Sequence, residues 1–349
     1  MTPPLSRYRS RVVPAAALSQ ADTDAWTALL AAQHPRGNAF LSAGFAAAAA
    51  RVIPGVKACL IEDGAGLAAV LACQDAPGTG RMLWAAQRVG EEMNDSFGLV
   101  ARPDFRTTPS ALLRLAGLHH LYFTHLPETQ AAFGLSGEKP VTGLRIDLSG
   151  GGDAYWAALN AADRKFTSDT ERRLRKAQDD LGPMRFTLDA EDPAALLDAL
   201  LDHKRAQYLR TGKGDWLAAP GRGGLLRELA QARGAPDCRA QMSVLHFGDT
   251  WAAMHFGLRS RETLHYWIPV YNPALNAYAP GRLLLREIIR QGPAAGITLI
   301  DRGVGESAAK RDFASLPRTY LSGVWYRPTP AGLAYRFWQS ARWRLGRGG

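Results

Sequence analysis

Cysteine is scarce in this chain of 349 residues: Cys59, Cys73 and Cys238 lie far apart, with no C-x-x-C pair among them. With so few cysteines and no such pair, neither a disulfide framework nor a cysteine zinc site is indicated, and a reducing compartment fits best. Long apolar runs are missing too, none reaching the roughly 20 residues that a spanning helix needs. The early arginines Arg7, Arg9 and Arg11 have no apolar stretch behind them, so no export signal is read and a cytoplasmic protein is expected. Acidic residues are outnumbered, 32 against 42 lysines and arginines, for a formal charge of +10. Such a surplus attracts anions, whether nucleic acid, a membrane surface or a phosphorylated small molecule, without choosing among them. Histidines cluster only in HHLYFTH, where strand alternation sends His119 and His120 to opposite faces and His125 follows later, so no metal site is expected.

What the chain does have is length and a faint internal symmetry. With 46% apolar residues it can bury two cores of ordinary size. LIEDGAGLAAVLA from Leu60 lies over VLHFGDTWAAMHF from Val244 without a gap, Gly64 falling on Gly248 and Ala68-Ala69 on Ala252-Ala253. Each reads strand, tight turn, strand. Upstream, AQHPRGNAFL loosely parallels AQYLRTGKGDWL, each after a run of helical periodicity; downstream, PSALLRLAGLHHLYF parallels PGRLLLREIIRQGPAAGITLID, helix then strand. The order helix, hairpin, helix, strand thus occurs twice, which predicts two α/β or α+β domains with mixed sheets. The glycine run SGGG before Asp153 reads as the linker. The expected division is 1–148, 149–325 and a basic aromatic tail, 326–349.

The second half holds the most pointed local signal. Trp251–Asn272 reads as a hairpin turning at Ser260–Glu262, followed by small residues from Pro273 to Ala279 and then by Pro280 and Gly281. Proline suits a first helical turn, and Leu284, Leu285, Ile288 and Ile289 form an apolar stripe, with Arg282, Arg286 and Arg290 as a second stripe facing away. A helix starting directly after a strand and a small-residue loop points unsatisfied N–H groups and its positive end into the space at the strand ends. Gly281 has no Cβ to hold a phosphate off the backbone.

Hairpin, small-residue loop, helix and strand in this order resemble the coenzyme A site of the GNAT acyltransferase fold. More specifically, Trp251–Phe313 resembles the acetyltransferase family named for CelD and BcsL, linked to cellulose and other exopolysaccharide synthesis and distantly similar to the Fem peptidyl transferases. The resemblance rests on P-G-x-L-L-L at Pro280–Leu285, the strand ending in Asp301, Gly303 and Gly305, and Lys310 in ESAAKRDF. The basic helix DTERRLRKAQDDLG with the strand MRFTL, and NDSFGLV in the first half, add to it. Arg302 departs from the pattern, standing where an apolar or aromatic residue is usual. The resemblance implies tandem duplicated GNAT domains, the first degenerate, and acetyl-CoA or another acyl-CoA as cosubstrate.

Acyl transfer from a thioester to an amine needs a deprotonated nucleophile, two reactants held together and a stabilised oxyanion. By resemblance, Trp267, Pro269, Tyr271, Ala279, Pro280, Gly281 and Arg282 would hold the cofactor, with a backbone N–H between Trp267 and Tyr271 facing the oxyanion. Lys310 would stabilise the carbonyl or orient the acceptor, or is simply a solvated lysine. Asp301 is a base or the cap of the next turn, and His255 is the weaker base candidate. Arg172, Arg173 and Arg175 would grip phosphates of the acceptor, with Asp95, Tyr271 and Glu306 as further acceptor contacts.

The resulting expectation is an N-acyltransferase acting on an amino sugar of a bacterial exopolysaccharide, or on its lipid-linked or nucleotide precursor. Two alternatives remain: Fem-like transfer from aminoacyl-tRNA, disfavoured because no long heptad insertion offers a helical arm, and a non-enzymatic effector binding a cyclic dinucleotide or a membrane. The tail, with five arginines and no acidic residue from Arg327 to the end, is expected to dock its aromatics on the first domain as far as Trp338. Its last Arg-Trp-Arg segment would then touch the inner membrane that holds the polysaccharide machinery.

Overall fold

A computed structural model describes residues 7–78, 80, 83–212, 214–232, 236–334 and 337. The chain forms two compact units, one of residues up to Pro35, Phe40–Val141 and from Thr319 onward, the other of Arg36–Ala39 and Thr142–Arg318. Among the described residues, no helix is long and apolar enough to cross a membrane.

In the first unit, strand β1 (Arg9–Pro14), helices α1 (Gln20–Gln33) and α2 (Ala43–Val52) and strands β2 (Val56–Asp63) and β3 (Gly66–Asp75) come first. Strands β4 (Ala85–Gln87) and β5 (Leu99–Ala101), helix α3 (Pro109–Leu115) and strand β6 (His120–Pro127) follow. The β2–β3 hairpin pairs Asp63 with Gly66, and Gly66 has φ +101°, a conformation glycine adopts without strain. β1 and β3 flank β2 antiparallel, β4 and β5 both join β3, and β6 runs parallel to β4. Ile61, Leu71, Leu99, Phe123 and Trp325 lie in its core.

The second unit carries the end of β7 (Lys139–Asp147), then α4 (Gly152–Ala162), α5 (Arg164–Leu181), β8 (Met184–Thr187), α6 (Pro193–Arg210) and α7 (Arg222–Gln231). Next come β9 (Arg239–Phe247), β10 (Thr250–Ser260), β11 (Thr263–Tyr271), α8 (Pro280–Gln291), β12 (Leu299–Val304), α9 (Ala308–Arg311) and the start of β13 (Leu316–Tyr326). Its strand order is β7-β12-β11-β10-β9-β8, antiparallel except where β11 meets β12. Helix, hairpin, helix and strand thus recur in each unit, as the internal symmetry predicts.

Two sequence expectations shift. The chain passes between units within β7 and β13, and the glycine run lies wholly inside the second unit. A Cβ on Gly152 would fall 2.3 Å from the Ile289 carbonyl oxygen, so this glycine permits close packing of α4 on α8 and is no linker. The arginine stripe of α8 faces away only at Arg290, which is exposed. Arg286 is 4% exposed, because α5 lays Glu171 over it, and Arg282 pairs with Asp169 of the same helix at 3.0 Å. In the tail, Leu333 and Phe337 are 48% and 79% exposed, while the segment from Trp338 to Gly349 lies outside the described residues.

Candidate active site

β11 and β12 run together for only three residues, Thr263 with Leu299, Leu264 with Ile300 and His265 with Asp301. Beyond that point they part. On one side a bulge between Phe256 and Leu258 bends β10 and β11. Gly257 makes the bulge sterically feasible, since a Cβ there would lie 2.4 Å from the His265 carbonyl oxygen. On the other side β12 loses register with β7 between Asp301 and Val304, where Gly303 takes φ +65°. Pro269, without an N–H, is tolerated on β11 at the part of the strand that β12 has left.

The divergence opens a cleft of about 370 Å³ within the second unit. Tyr266, Pro269, Val270 and Tyr271 of β11 form one wall, and Lys204 and Gln207 of α6 another. Arg302 of β12 lines the cleft with Ala309, Asp312 and Phe313, and so do Asn276, Ala279–Arg282 and Leu285. The Lys204 ammonium donates to the Pro269 carbonyl at 3.0 Å, and the Gln207 Oε1 is buried without a hydrogen-bond partner.

The first turn of α8, which lines the cleft, is uncapped. Ala279, the residue before it, is left-handed at φ 53° and offers no side-chain acceptor, and Pro280 has no N–H. The Gly281 N–H has no backbone acceptor in the preceding turn, and the atom nearest a Cβ built on Gly281 is Tyr271 Cδ1 at 4.0 Å. An unpaired helix start with an open approach favours an anion.

Of the residues expected to hold a cofactor, Pro269, Tyr271, Ala279, Pro280, Gly281 and Arg282 line this one cleft. Trp267 does not, and its N–H, an expected oxyanion donor, is given to His255 Nε2 at 3.2 Å. The expected acceptor contacts are scattered. Arg172 and Arg173 bind Asp169 of their own helix at 2.6 and 2.7 Å, Arg173 also reaches the Ala277 carbonyl, and Arg175 is exposed. Glu306 is exposed, and Asp95 belongs to the first unit.

The expected catalytic groups also lie outside the cleft lining. Asp301 caps the next turn, its carboxylate accepting from the Gly303 N–H at 2.9 Å. Strand alternation turns it away from the side taken by Arg302. The Lys310 ammonium donates to the Val304 carbonyl at 2.7 Å and so closes the loop between β12 and α9. His255 is fully buried, stacked on Tyr266 with ring centroids 4.1 Å apart, and has no partner at Nδ1. These positions make Asp301, Lys310 and His255 supports of the cleft in this conformation. Lys204, Gln207 and Arg302 went unselected: the first two sit on a helix remote in sequence, and Arg302 was visible only as a departure from a pattern.

The histidines that brace β11 lead to a pH dependence. Burial pushes His255 from its ordinary 6.5 down to about 3 and His265, which accepts the Ala39 N–H at 3.1 Å, down to about 4. For His265 the nearby Asp301 opposes that shift and Arg318 adds to it. Because both values lie below that of the unfolded chain, the stabilisation is complete above pH 6.5 and is lost as pH falls toward 4 and 3. Thermal melts are expected to be flat above about pH 7 and to fall below it by about 1.4 kcal/mol per pH unit for each histidine. His255→Asn should make the decline shallower, and an unchanged slope would remove this origin.

Residues 164–311, from the start of α5 to the end of α9, match the family described as acetyltransferase (GNAT) domain. No curated protein matches the chain. Among solved structures, FemX is 8% identical with a TM-score of 0.62, covering 94% of this chain and 99% of its own. A protein of unknown function from Bacteroides thetaiotaomicron is 13% identical, with TM-score 0.49 and coverage of 87% and 97%. A tandem GNAT protein from the clavulanic acid biosynthesis pathway is 15% identical, with TM-score 0.45 and coverage of 90% and 98%. The chain is a tandem of mixed α/β units, and the second, which holds the cleft, has a GNAT-type acyltransferase fold.

Proposed function

We propose that the second unit is an acyl-CoA-dependent N-acyltransferase whose acceptor is an amino sugar of an exopolysaccharide or of its lipid-linked or nucleotide precursor. The observation that carries the acyl-CoA reading is the continuity of one cleft, from the uncapped α8 N-terminus to the point where β11 and β12 part. The pyrophosphate of coenzyme A rests at Gly281, and the pantetheine arm runs along β11 beside Tyr271 and Pro269. The amine nitrogen attacks the thioester carbonyl, a C–N bond forms, the C–S bond breaks, and the proton lost by the amine leaves with the thiol. Lys204, on the Pro269 carbonyl, faces the developing oxyanion; a charged donor there is of the kind whose loss costs roughly 10²-fold or more. The amino-sugar acceptor and a peripheral position at the inner membrane rest on the sequence resemblance and on the basic tail.

Calorimetry and melting with acetyl-CoA test this reading, since a ligand at 100 times its dissociation constant adds about 2.7 kcal/mol to native-state stability. Saturable binding and a raised melting temperature are expected. No response to acetyl-CoA, with a response to charged tRNA or to a cyclic dinucleotide in parallel samples, would replace it by the Fem-like or the effector reading.

A further inference from the structure

Arg302 is a buried cation for which the described residues supply no carboxylate partner. The residue is 9% exposed. Its Nη1 donates to two neutral acceptors, the carbonyls of Ala309 at 2.9 Å and Lys310 at 3.1 Å. Its Nε is closed to solvent and lacks an acceptor, and no acceptor is found for Nη2 either. Tyr266 and Phe313 bracket the guanidinium, with ring centroids 5.7 and 5.9 Å away. No carboxylate among the described residues lies within ion-pairing distance of it; burial lowers its pKa, opposed by Tyr266, by Tyr155 and, after them, by the exposed Asp312. A charge removed from water in this way needs a partner.

We propose that Arg302 is a specificity-determining residue that binds a carboxylate carried by one of the two substrates, on the acyl chain or on the acceptor. The inference rests on the cleft being the acyl-transfer site. Arg302 follows Asp301, the last β12 residue paired with β11, and so stands where the strands part and where acyl group and acceptor would meet. Its Nη2, which makes no hydrogen bond among the described residues and is not closed to solvent, is the donor that a carboxylate oxygen entering from the cleft can reach. A phosphate has its own place on the α8 N-terminus. The aromatic walls exclude water from the guanidinium and so strengthen its attraction for a single planar anion.

Two product-like pairs separate the sources. N-acetylglycine against N-acetylglycinamide places the carboxylate on the acceptor side, and N-ethylsuccinamic acid against N-ethylsuccinamide places it on the acyl side. In calorimetry the native protein is expected to bind the acid of one pair roughly 10- to 100-fold more tightly than its amide. Arg302→Met should abolish that preference, and Arg302→Lys, which keeps the charge but not a second nitrogen that can bind the Ala309 and Lys310 carbonyls while Nη2 faces the anion, should reduce it several-fold. Where the methionine variant does not fold, the lysine variant decides. Equal binding of acid and amide in both pairs, or a preference unchanged in the variants that fold, would overturn the proposal and leave Arg302 as an anchor of α9. Acetyl-CoA binding is measured separately on the same samples: its absence would end the acyl-CoA reading, while the acid and amide pairs still decide the carboxylate site.

Discussion

Replacing Gly281 by valine is expected to lower the affinity for acetyl-CoA by about 100-fold or more while leaving the melting temperature nearly unchanged. Both halves follow from the same geometry. The position has no positive φ, and a Cβ there meets nothing closer than Tyr271 Cδ1 at 4.0 Å, so the helix tolerates a side chain. The two γ-methyls, however, must project into the cleft beside the Gly281 N–H. A phosphate then loses its approach to the first turn of α8, and with it the charge-assisted hydrogen bonds that backbone donors at a helix start provide. The loss asked for, about 2.7 kcal/mol, is of the order of two such bonds. Gly281→Ala should fall between the native protein and the valine variant. Calorimetry on the three proteins decides the matter, and equal dissociation constants would move the pyrophosphate away from this loop.

The sequence made the local part of the site readable and left the tertiary part hidden. Proline followed by glycine after a hairpin and small residues marks the start of α8, because each of those residue types acts through its own backbone chemistry. The hairpin turn between Ser260 and Thr263 and the doubled order of elements were readable for the same reason. The divergence of β11 from β12 was not, since it arises from a bulge at Gly257 and a left-handed Gly303 whose effect depends on partner strands. Asp301 and Lys310 stand out as isolated polar residues in a motif, yet which face of β12 opens on the cleft is set by register, and register gives that face to Arg302. Gly152 shows the reverse error: a glycine run looks like a linker until the backbone that needs its missing Cβ is known.

Arg286→Ala is expected to destabilise the second unit by about 3 kcal/mol, a fall in melting temperature of roughly 6 to 12 °C for a unit of this size. A pattern of arginines every fourth residue on α8 reads as a solvated stripe, but two carboxylates enclose the middle one. The Arg286 side chain is 5% exposed and grips Glu171 of α5 bidentately, Nε to Oε1 at 2.8 Å and Nη2 to Oε2 at 2.9 Å. Its Nη1 binds Glu287, whose side chain is 6% exposed, and its guanidinium lies 5.5 Å from the Trp156 ring centroid of α4. Removing the arginine leaves the Glu287 carboxylate buried without its cation, and the cost of that uncompensated charge exceeds the value of the pair itself. The triple replacement Arg286→Met, Glu171→Leu, Glu287→Leu should therefore recover most of the loss, because it removes the charges together with their partner. Melts of the native, single and triple variants distinguish the cases: a single variant within about 2 °C of the native protein would show that water reaches Glu287 and that the network does not hold α8. If the loss is as large as expected, the same network also fixes the direction in which the α8 N-terminus points. Arg286→Ala should then weaken acetyl-CoA binding in the folded protein, although the residue touches no part of the cleft.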